Sequence, residues 1–328
     1  MKQRMFALGI VLAMSAATPV ESVALQSSYQ STTPQPSQAF TGTLDAHPVV
    51  ALTFDDLPAA ASLPAGENRS KIAAALTSEL KANHMEGTYG FVNAAKLEND
   101  SDAQQALHIW VDAGMNVGSH TWSHISLTSY SAEAFEHEIA LNEPALTQYA
   151  GRRDWHWFRY PFLWEGDTLE KRWAVRSYLK AHGYKTAQVT LDFEDYAWND
   201  AYARCVAKND EAAIGWLKFS YLETATEYID LGRKEERIVF GHEIPNVLLL
   251  HATAFTTLML PRLLDQLRLE GFTFSTLPQV EEDPAYAQDP DAALKYGGTL
   301  PDQFMDSRKL PYPSVKPKPF DKMKTLCK

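Results

Sequence analysis

Val49-Val50-Ala51-Leu52-Thr53-Phe54-Asp55-Asp56 is the stretch on which the fold turns. Its apolar run is bounded by Pro48 and by Leu57-Pro58. Such a run reads as a strand of a parallel sheet, buried on both faces so that no polar alternation is left. The run stops in two adjacent carboxylates, and the C-terminal ends of such strands are where α/β proteins gather their chemistry. Two neighbouring acids repel each other when both ionise, so a cation nearby would offset them. Alone, the pair reads equally as a cap beside a solvated neighbour.

Outward from this strand, the patterning alternates. Ile72, Ala75, Leu76 and Leu80 recur at helical spacing and predict a helix over 68–83, followed by a strand over 87–92. A helix over 101–114 runs from Ser101 as N-cap to Gly114 and leads into a strand over 116–118. The pattern continues with a helix over 131–149, kinked at Pro144, a strand over 157–159, a helix over 167–182 closed by Gly183, and a strand over 185–191. A long helical region over 199–231, interrupted at Gly215, precedes a strand over 247–250, a helix over 255–270 and a last strand over 272–277. Repeated strand-then-helix units predict a parallel sheet, closed as a barrel or doubly wound.

The flanks read differently. Met1-Lys2-Gln3-Arg4 and the apolar run after it, with Ser22-Val23-Ala24 as a cleavage site, make residues 1–24 a signal peptide. The run is too short for a membrane span, so the expectation is an exported chain, periplasmic or extracellular, with no stable membrane insertion after cleavage. Residues 25–46, rich in Ser, Thr, Gln and Pro, read as a flexible leader, 47–280 as a single catalytic domain, and 281–328 as an irregular tail laid on it. With 41 Asp+Glu against 30 Lys+Arg and no dense basic cluster in the mature part, nucleic acid is not an expected partner. Cys205 and Cys327 are the only cysteines, which excludes a cysteine-rich metal site and leaves open whether the two pair and pin the tail.

Four more segments at predicted strand ends carry chemistry. Ser119-His120-Thr121-Trp122-Ser123-His124 holds two His four apart, the spacing that puts both imidazoles on one side of a helical turn. With Asp56 they make a two-His, one-carboxylate set, the catalytic pattern for Zn²⁺ that Fe²⁺, Co²⁺ or Mn²⁺ also accept, and Asp55 stays free for other work. Phe158-Arg159-Tyr160-Pro161-Phe162, Asp192-Phe193-Glu194-Asp195-Tyr196 and Leu249-Leu250-His251 complete the series. Singly, each is as readily an ion pair or a hydrogen-bonded core group. His242 is a weaker candidate beside the last segment.

In this order, the five segments resemble the motifs of the polysaccharide deacetylases, carbohydrate esterase family four, over about residues 49–277. The resemblance implies a distorted (β/α) barrel of seven or eight strands with a divalent metal, Zn²⁺ first, in a groove at one mouth. It implies Asp55 as general base, Asp56, His120 and His124 as metal ligands, and His251 as general acid, with Arg159 steadying Asp55 and Asp195 steadying His251. The backbone N–H at Phe162 would serve the oxyanion, and Tyr196 and Leu249 would line the substrate site. Phe162 stands where the family often has Tyr, and Tyr196 where it usually has Trp.

The chemistry agrees with those roles. Amide hydrolysis needs an activated water, an oxyanion site and a proton for the departing amine. Arg159 is expected to keep Asp55 ionised, and Asp195 to raise the pKa of His251. The expected activity is removal of acetyl groups from N-acetylated sugars of peptidoglycan or chitin type, which is hydrolysis of a carbon–nitrogen bond other than a peptide bond. O-acetyl ester hydrolysis on xylan is the alternative on the same machinery, and non-catalytic glycan binding is another. Trp155, Trp157, Trp164, Tyr196 and Trp198 are candidates to stack on sugar rings or to pack in the core.

Overall fold

The computed structural model describes residues 47–328, and its longest strand, β1 (Val49–Leu57), is the stretch singled out above. The segments read as signal peptide and leader lie outside the described residues. From β1 the chain alternates through α1 (Arg69–Ala82), β2 (Tyr89–Val92), α2 (Ser101–Asp112), β3 (Asn116–Ser119), α3 (Ala132–Ala150), β4 (Trp157–Phe158) and α4 (Leu169–Ala181). It continues through β5 (Lys185–Thr186), α5 (Ala197–Ala207), α6 (Glu211–Phe240), β6 (Asn246–His251), α7 (Ala254–Leu269) and β7 (Thr273–Phe274). Three helices close it: α8 (Leu277–Val280), α9 (Leu300–Arg308) and α10 (Phe320–Thr325). The strands pair in parallel in the order β5-β4-β3-β2-β1-β6, with β7 joined to the start of β1. The sheet curls into a half-barrel with helices around it, a distorted (β/α) barrel of seven strands.

The two faces of β1 explain why its sequence lacks alternation. Val50, Leu52 and Phe54 pack outward against Leu76 and Leu80 of α1, Trp110 of α2 and Leu263 of α7. Ala51 faces the other way, among Phe91, Trp157 and Val247 in the barrel interior. Because side chains alternate along a strand, Thr53 and Asp55 follow Ala51 inward, where both meet the Arg159 guanidinium. Burial on both faces removes the polar half of the pattern and leaves the inner carboxylate in a dry setting.

Three departures from the sequence reading lie within the barrel. The strand expected over 185–191 shortens to Lys185–Thr186 plus a bridge from Leu191 to Leu248, because the N–H groups of Thr190 and Leu191 both donate to the Val247 carbonyl and break the register. The helical region expected over 199–231 divides at residues 208–210 and not at Gly215. There Asn209 takes a positive φ of 52° and Asp210 caps α6 by accepting from the Ala213 N–H. Gly215 lies inside α6 with open space where a side chain would stand, so nothing there forces a break. The N-cap of α2 is Asp100, not Ser101.

The segment after residue 281, expected to be irregular, carries α9 and α10. Leu300, Phe304 and Met305 pack with Val239 at the end of α6, and the Leu300 N–H donates to the Val189 carbonyl at 2.7 Å. Arg204 of α5 donates to the carbonyls of Met323 (2.7 Å) and Leu326 (3.2 Å). Beside them Cys205 and Cys327 form a disulfide across 122 residues of sequence. Among the described residues no helix is long and apolar enough to cross a membrane. A cross-link closing so long a loop restricts the unfolded chain strongly. The double substitution Cys205→Ala/Cys327→Ala is therefore expected to lower the unfolding free energy by about 2–4 kcal/mol in denaturant titration.

Candidate active site

At the tip of β1 the chain turns sharply, with Asp56 at φ 68°. The turn sends the two acids to different partners. Asp55 is buried, and its carboxylate accepts from Arg159 Nη1 at 3.3 and 3.5 Å. Arg159 is itself fixed by donating from Nε to the Ala187 carbonyl (2.8 Å) and from Nη2 to Thr53 Oγ1 (3.2 Å), and its guanidinium lies 4.6 Å from the Phe91 ring centroid. Arg159 favours the charged form of Asp55, as expected, but it is not the larger influence. Burial outweighs the arginine and pushes the Asp55 carboxyl up to about 6.

Asp56 faces the other way. Its Oδ1 is 3.5 Å from His124 Nε2 and 3.3 Å from Lys96 Nζ, and Lys96 also donates to the Asp56 carbonyl at 3.0 Å. Burial opposes its charge, but Lys96 and the surrounding imidazoles hold the carboxyl well below the usual carboxylate range. Lys96 was not legible as a site residue. Its only sequence signal is its place just beyond the end of β2, in the 3-10 turn Ala94–Leu97.

His120 and His124 meet without the helical turn that their spacing suggested. Residues 120–124 form a loop in which Thr121 and His124 both take φ near 60°. The loop is pinned from two sides. Asn93 Nδ2 donates to the carbonyls of His120 (2.5 Å) and Thr121 (3.1 Å), while the N–H groups of Trp122 and Ser123 donate to the backbone and side chain of Glu138 on α3. The two imidazole centroids end 4.9 Å apart, and Phe162 packs edge-on against His124 at 4.5 Å.

The donor set fits a divalent ion. One ligand atom from each of Asp56, His120 and His124 lies within 4.8 Å of the others. His120 Nδ1 is 2.8 Å from the Arg159 carbonyl, which can only accept, so Nδ1 carries the proton and Nε2 keeps its lone pair. Burial, then the neighbouring His124, hold His120 well below its ordinary value and therefore neutral. A neutral imidazole beside an ionised carboxylate is the protonation state that a metal requires.

Across the groove stands a second pair. His251 closes β6, and its Nδ1 lies 2.7 Å from Asp195 Oδ1, while its backbone N–H donates to Asp195 Oδ2 at 3.0 Å. Thr256 Oγ1 also donates to Oδ2, so the buried Asp195 is held at both oxygens. Burial pushes the imidazole down, but the charge and hydrogen bond of Asp195, with further help from Asp56 and Asp55, carry it up to about 9. With Nδ1–H committed to Asp195, the Nε2 proton is the one available to the groove.

Asp55, Asp56, His120, His124 and His251 line a groove of about 530 Å³ together with Phe162, Trp164, Tyr196 and Leu249. Of the aromatic candidates, Trp164 and Tyr196 reach it. Trp157 and Trp198 are core residues at 3 % and 0 % exposure, and Trp155 stacks on His156 away from the groove. His242 is exposed and sits against the Glu243 carbonyl, outside the site. Lining residues that sequence reasoning missed include Tyr228 and Glu235 of α6 and Asp302 and Lys318 of the C-terminal segment. No sequence signal tied that distant segment to the barrel mouth.

Residues 45–187 match the family model described as polysaccharide deacetylase. Over that stretch, which is under half of the chain, the protein is similar to the polysaccharide deacetylase family. The matched residues contain the Asp55-Asp56, His120/His124 and Arg159 segments, while Asp195 and His251 lie beyond them. Solved structures similar to this chain include the chitin deacetylase of the fungus Colletotrichum lindemuthianum, at 21% identity over 72% of this chain and 88% of that one, with a TM-score of 0.49. The peptidoglycan deacetylase PdaC of Bacillus subtilis is 20% identical over 72% of this chain and 91% of that one, with a TM-score of 0.46. A CE4 family pseudoenzyme from Bacillus anthracis is 15% identical over 71% of this chain and 65% of its own, with a TM-score of 0.49. This chain thus spans about two thirds of that pseudoenzyme. No curated protein matches the sequence.

Two outcomes are expected at the site. His124→Ala should lower bound Zn²⁺, measured by elemental analysis after dialysis against a trace of the metal, by about tenfold or more relative to the unaltered chain. In the metal-free protein, NMR titration should give His251 a pKa near 9, and Asp195→Asn should bring it to about 6.5 or below, because burial then acts without its opponent. A folded value above the unfolded one means that this pair stabilises the fold fully below about pH 6.5, and that the contribution fades as pH rises toward 9.

Proposed function

We propose that the protein is a metal-dependent hydrolase that removes acetyl groups from N-acetylated sugars of a polysaccharide or oligosaccharide of peptidoglycan or chitin type. The observation that carries this reading is one groove in which Asp55 and the Asp195-held His251 flank the Asp56–His120–His124 set. Binding a glycan would call for neither a proton acceptor nor a proton donor, and the groove has one of each. Zn²⁺ is the favoured ion, with Co²⁺ and other divalent ions as substitutes, held by Asp56, His120 and His124. When bound there, the ion supplies Lewis acidity, lowering the pKa of water and polarising a carbonyl.

The side chains then divide the proton work. Asp55, with its carboxyl raised to about 6, is ionised near neutral pH yet basic enough to take a proton from the attacking water. Arg159 orients it and limits the rise. His251, protonated at the same pH, delivers the Nε2 proton to the departing amine nitrogen as the C–N bond breaks. Phe162, at φ 61°, is proposed to present its backbone N–H to the developing oxyanion. Tyr196, edge-on to His251 at 4.9 Å, and Leu249 form the wall against which the sugar rests. The N-terminal signal reading gives an exported enzyme, which is where such glycans are met.

Acetate release from N-acetylglucosamine oligomers, peptidoglycan and acetylated xylan, with and without chelation and add-back of Zn²⁺ or Co²⁺, tests the proposal. Metal-dependent release from an N-acetylated glycan is expected. Release from xylan alone would shift the assignment to ester hydrolysis, and release from none would defeat it. Asp55→Asn should lower kcat by about 10²–10⁴-fold with KM little changed, since the lost proton acceptor works in the transition state.

A further inference from the structure

The groove extends away from the proposed reacting groups to an end built by α6 and the C-terminal segment. Two glycines bring those walls close against the barrel. A Cβ on Gly232 would lie 2.6 Å from Leu191 Cδ2, and one on Gly297 would fall on the Leu163 carbonyl. Only a residue without a side chain permits either approach.

At this end lie two carboxyls, Glu235 and Asp302. Glu235 is 2 % exposed, yet it lines the groove, and its Oε1 has no hydrogen-bond partner among the described residues. Asp302 is partly committed: its Oδ2 accepts from the Thr299 N–H (3.0 Å) and Oγ1 (2.8 Å) as the cap of α9. A third acid, Asp306, accepts from the Tyr312 hydroxyl at 2.7 Å. The lysine that lines the groove makes its hydrogen bond elsewhere: Lys318 donates to Glu194 at 2.9 Å and lies 4.3 Å from the Tyr228 ring centroid, so only its more distant charge reaches Asp302. Burial, and then the charge of Asp302, push the Glu235 carboxyl up to about 8.

A buried acid beside a second acid keeps its proton until something with positive charge and N–H groups enters and makes the ionised form favourable. Among the described residues, the only cluster with metal-ligand proximity is Asp56–His120–His124, so this end lacks the third ligand that a metal would want. An organic ammonium needs no such set. Deacetylation itself makes one, as the protonated amine on the sugar just processed. We propose that Glu235 and Asp302 form a subsite for the protonated amine of a hexosamine unit, an already deacetylated neighbour in the same glycan. The inference rests on the deacetylase reading and adds a preference for partly deacetylated chains. Asp192 and Glu194, which also line the groove, give it the same sign of charge.

Calorimetric binding of a fully deacetylated glucosamine tetramer and of an N-acetylglucosamine tetramer to the full chain at about pH 6, where the amine is protonated, tests this. Glu235→Gln, which keeps the shape of the side chain, should weaken the glucosamine tetramer by about tenfold or more and shift the acetylated tetramer by no more than about twofold. Asp302→Asn, checked by thermal melting because Asp302 also caps α9, should act in the same direction. Equal weakening of both tetramers would mean recognition of hydroxyls and would overturn the proposal. So would unchanged binding in both variants, or displacement of the glucosamine tetramer by Ca²⁺ at that end. The glucosamine tetramer has no acetyl group, so its binding is read without turnover. Failure of the unaltered chain to release acetate from any glycan would count against the deacetylase reading alone.

Discussion

The parallel pairing of β1 with β6 sets up everything downstream of it. Its register runs from Val50 against Asn246 to Asp55 against His251, so the strand that ends in the proposed base lies beside the strand that ends in the proposed acid. Neither group has to be positioned by a loop. The same register that buries Leu52, Leu248 and Leu250 in the core brings the two catalytic candidates level, and a slip of one residue would turn Asp55 toward the helices. Stability and chemistry therefore draw on one set of hydrogen bonds. Beyond the strand tip the backbone departs from regular geometry, with positive φ at Asp56, Thr121, His124, Phe162 and Glu194, all at or next to the groove. Such conformations persist where surrounding contacts hold them, as Asn93 and Glu138 hold the His loop.

Burial then sets the two carboxylates of the opening stretch apart. Asp55 and Asp56 are adjacent in sequence, and both lose hydration in the barrel mouth. Asp56 is met by Lys96 and the imidazoles and remains an anion suited to a metal, whereas the arginine beside Asp55 does not recover what burial takes. In the proposed reaction that shortfall is what lets Asp55 take a proton from water. At His251 the balance is reversed, with Asp195 overcoming burial. One dry site thus holds an anion that accepts a proton and a cation that gives one, separated by environment and not by residue type.

Much of this was legible in the sequence because parallel strands and their ends write strong patterns. The apolar run of β1, the alternation with helices and the five chemical segments all rest on local composition, and they led to a barrel and to most of the groups at its mouth. What was not legible depended on the third dimension. The spacing of His120 and His124 suggested a helix, but a loop pinned by Asn93 and Glu138 does the same work. The sign of the Asp55 shift depended on how dry the pocket is, which no spacing reports. Lys96 came from a turn with no pattern of its own. The five aromatic candidates divided between groove and core according to which way each short strand or helix faced.

The C-terminal segment shows most clearly why sequence alone runs out. Its Pro-rich, weakly periodic composition suggests irregular chain, and by local propensity that is reasonable. Its order comes from elsewhere. The disulfide to Cys205 and the hydrogen bonds from Arg204 fix its far end, while the packing of Leu300, Phe304 and Met305 against α6 fixes its near end. Between these anchors Lys318 donates to Glu194, one residue before Asp195. A segment more than a hundred residues away in sequence therefore braces the loop that carries the partner of His251, and Gly297 closes it against the Leu163 carbonyl, next to Phe162. The barrel provides the proposed reacting groups through its own strand ends, and the added segment narrows the groove in front of them, so on that proposal the reach of the substrate would be decided by the part of the chain with the weakest sequence signal.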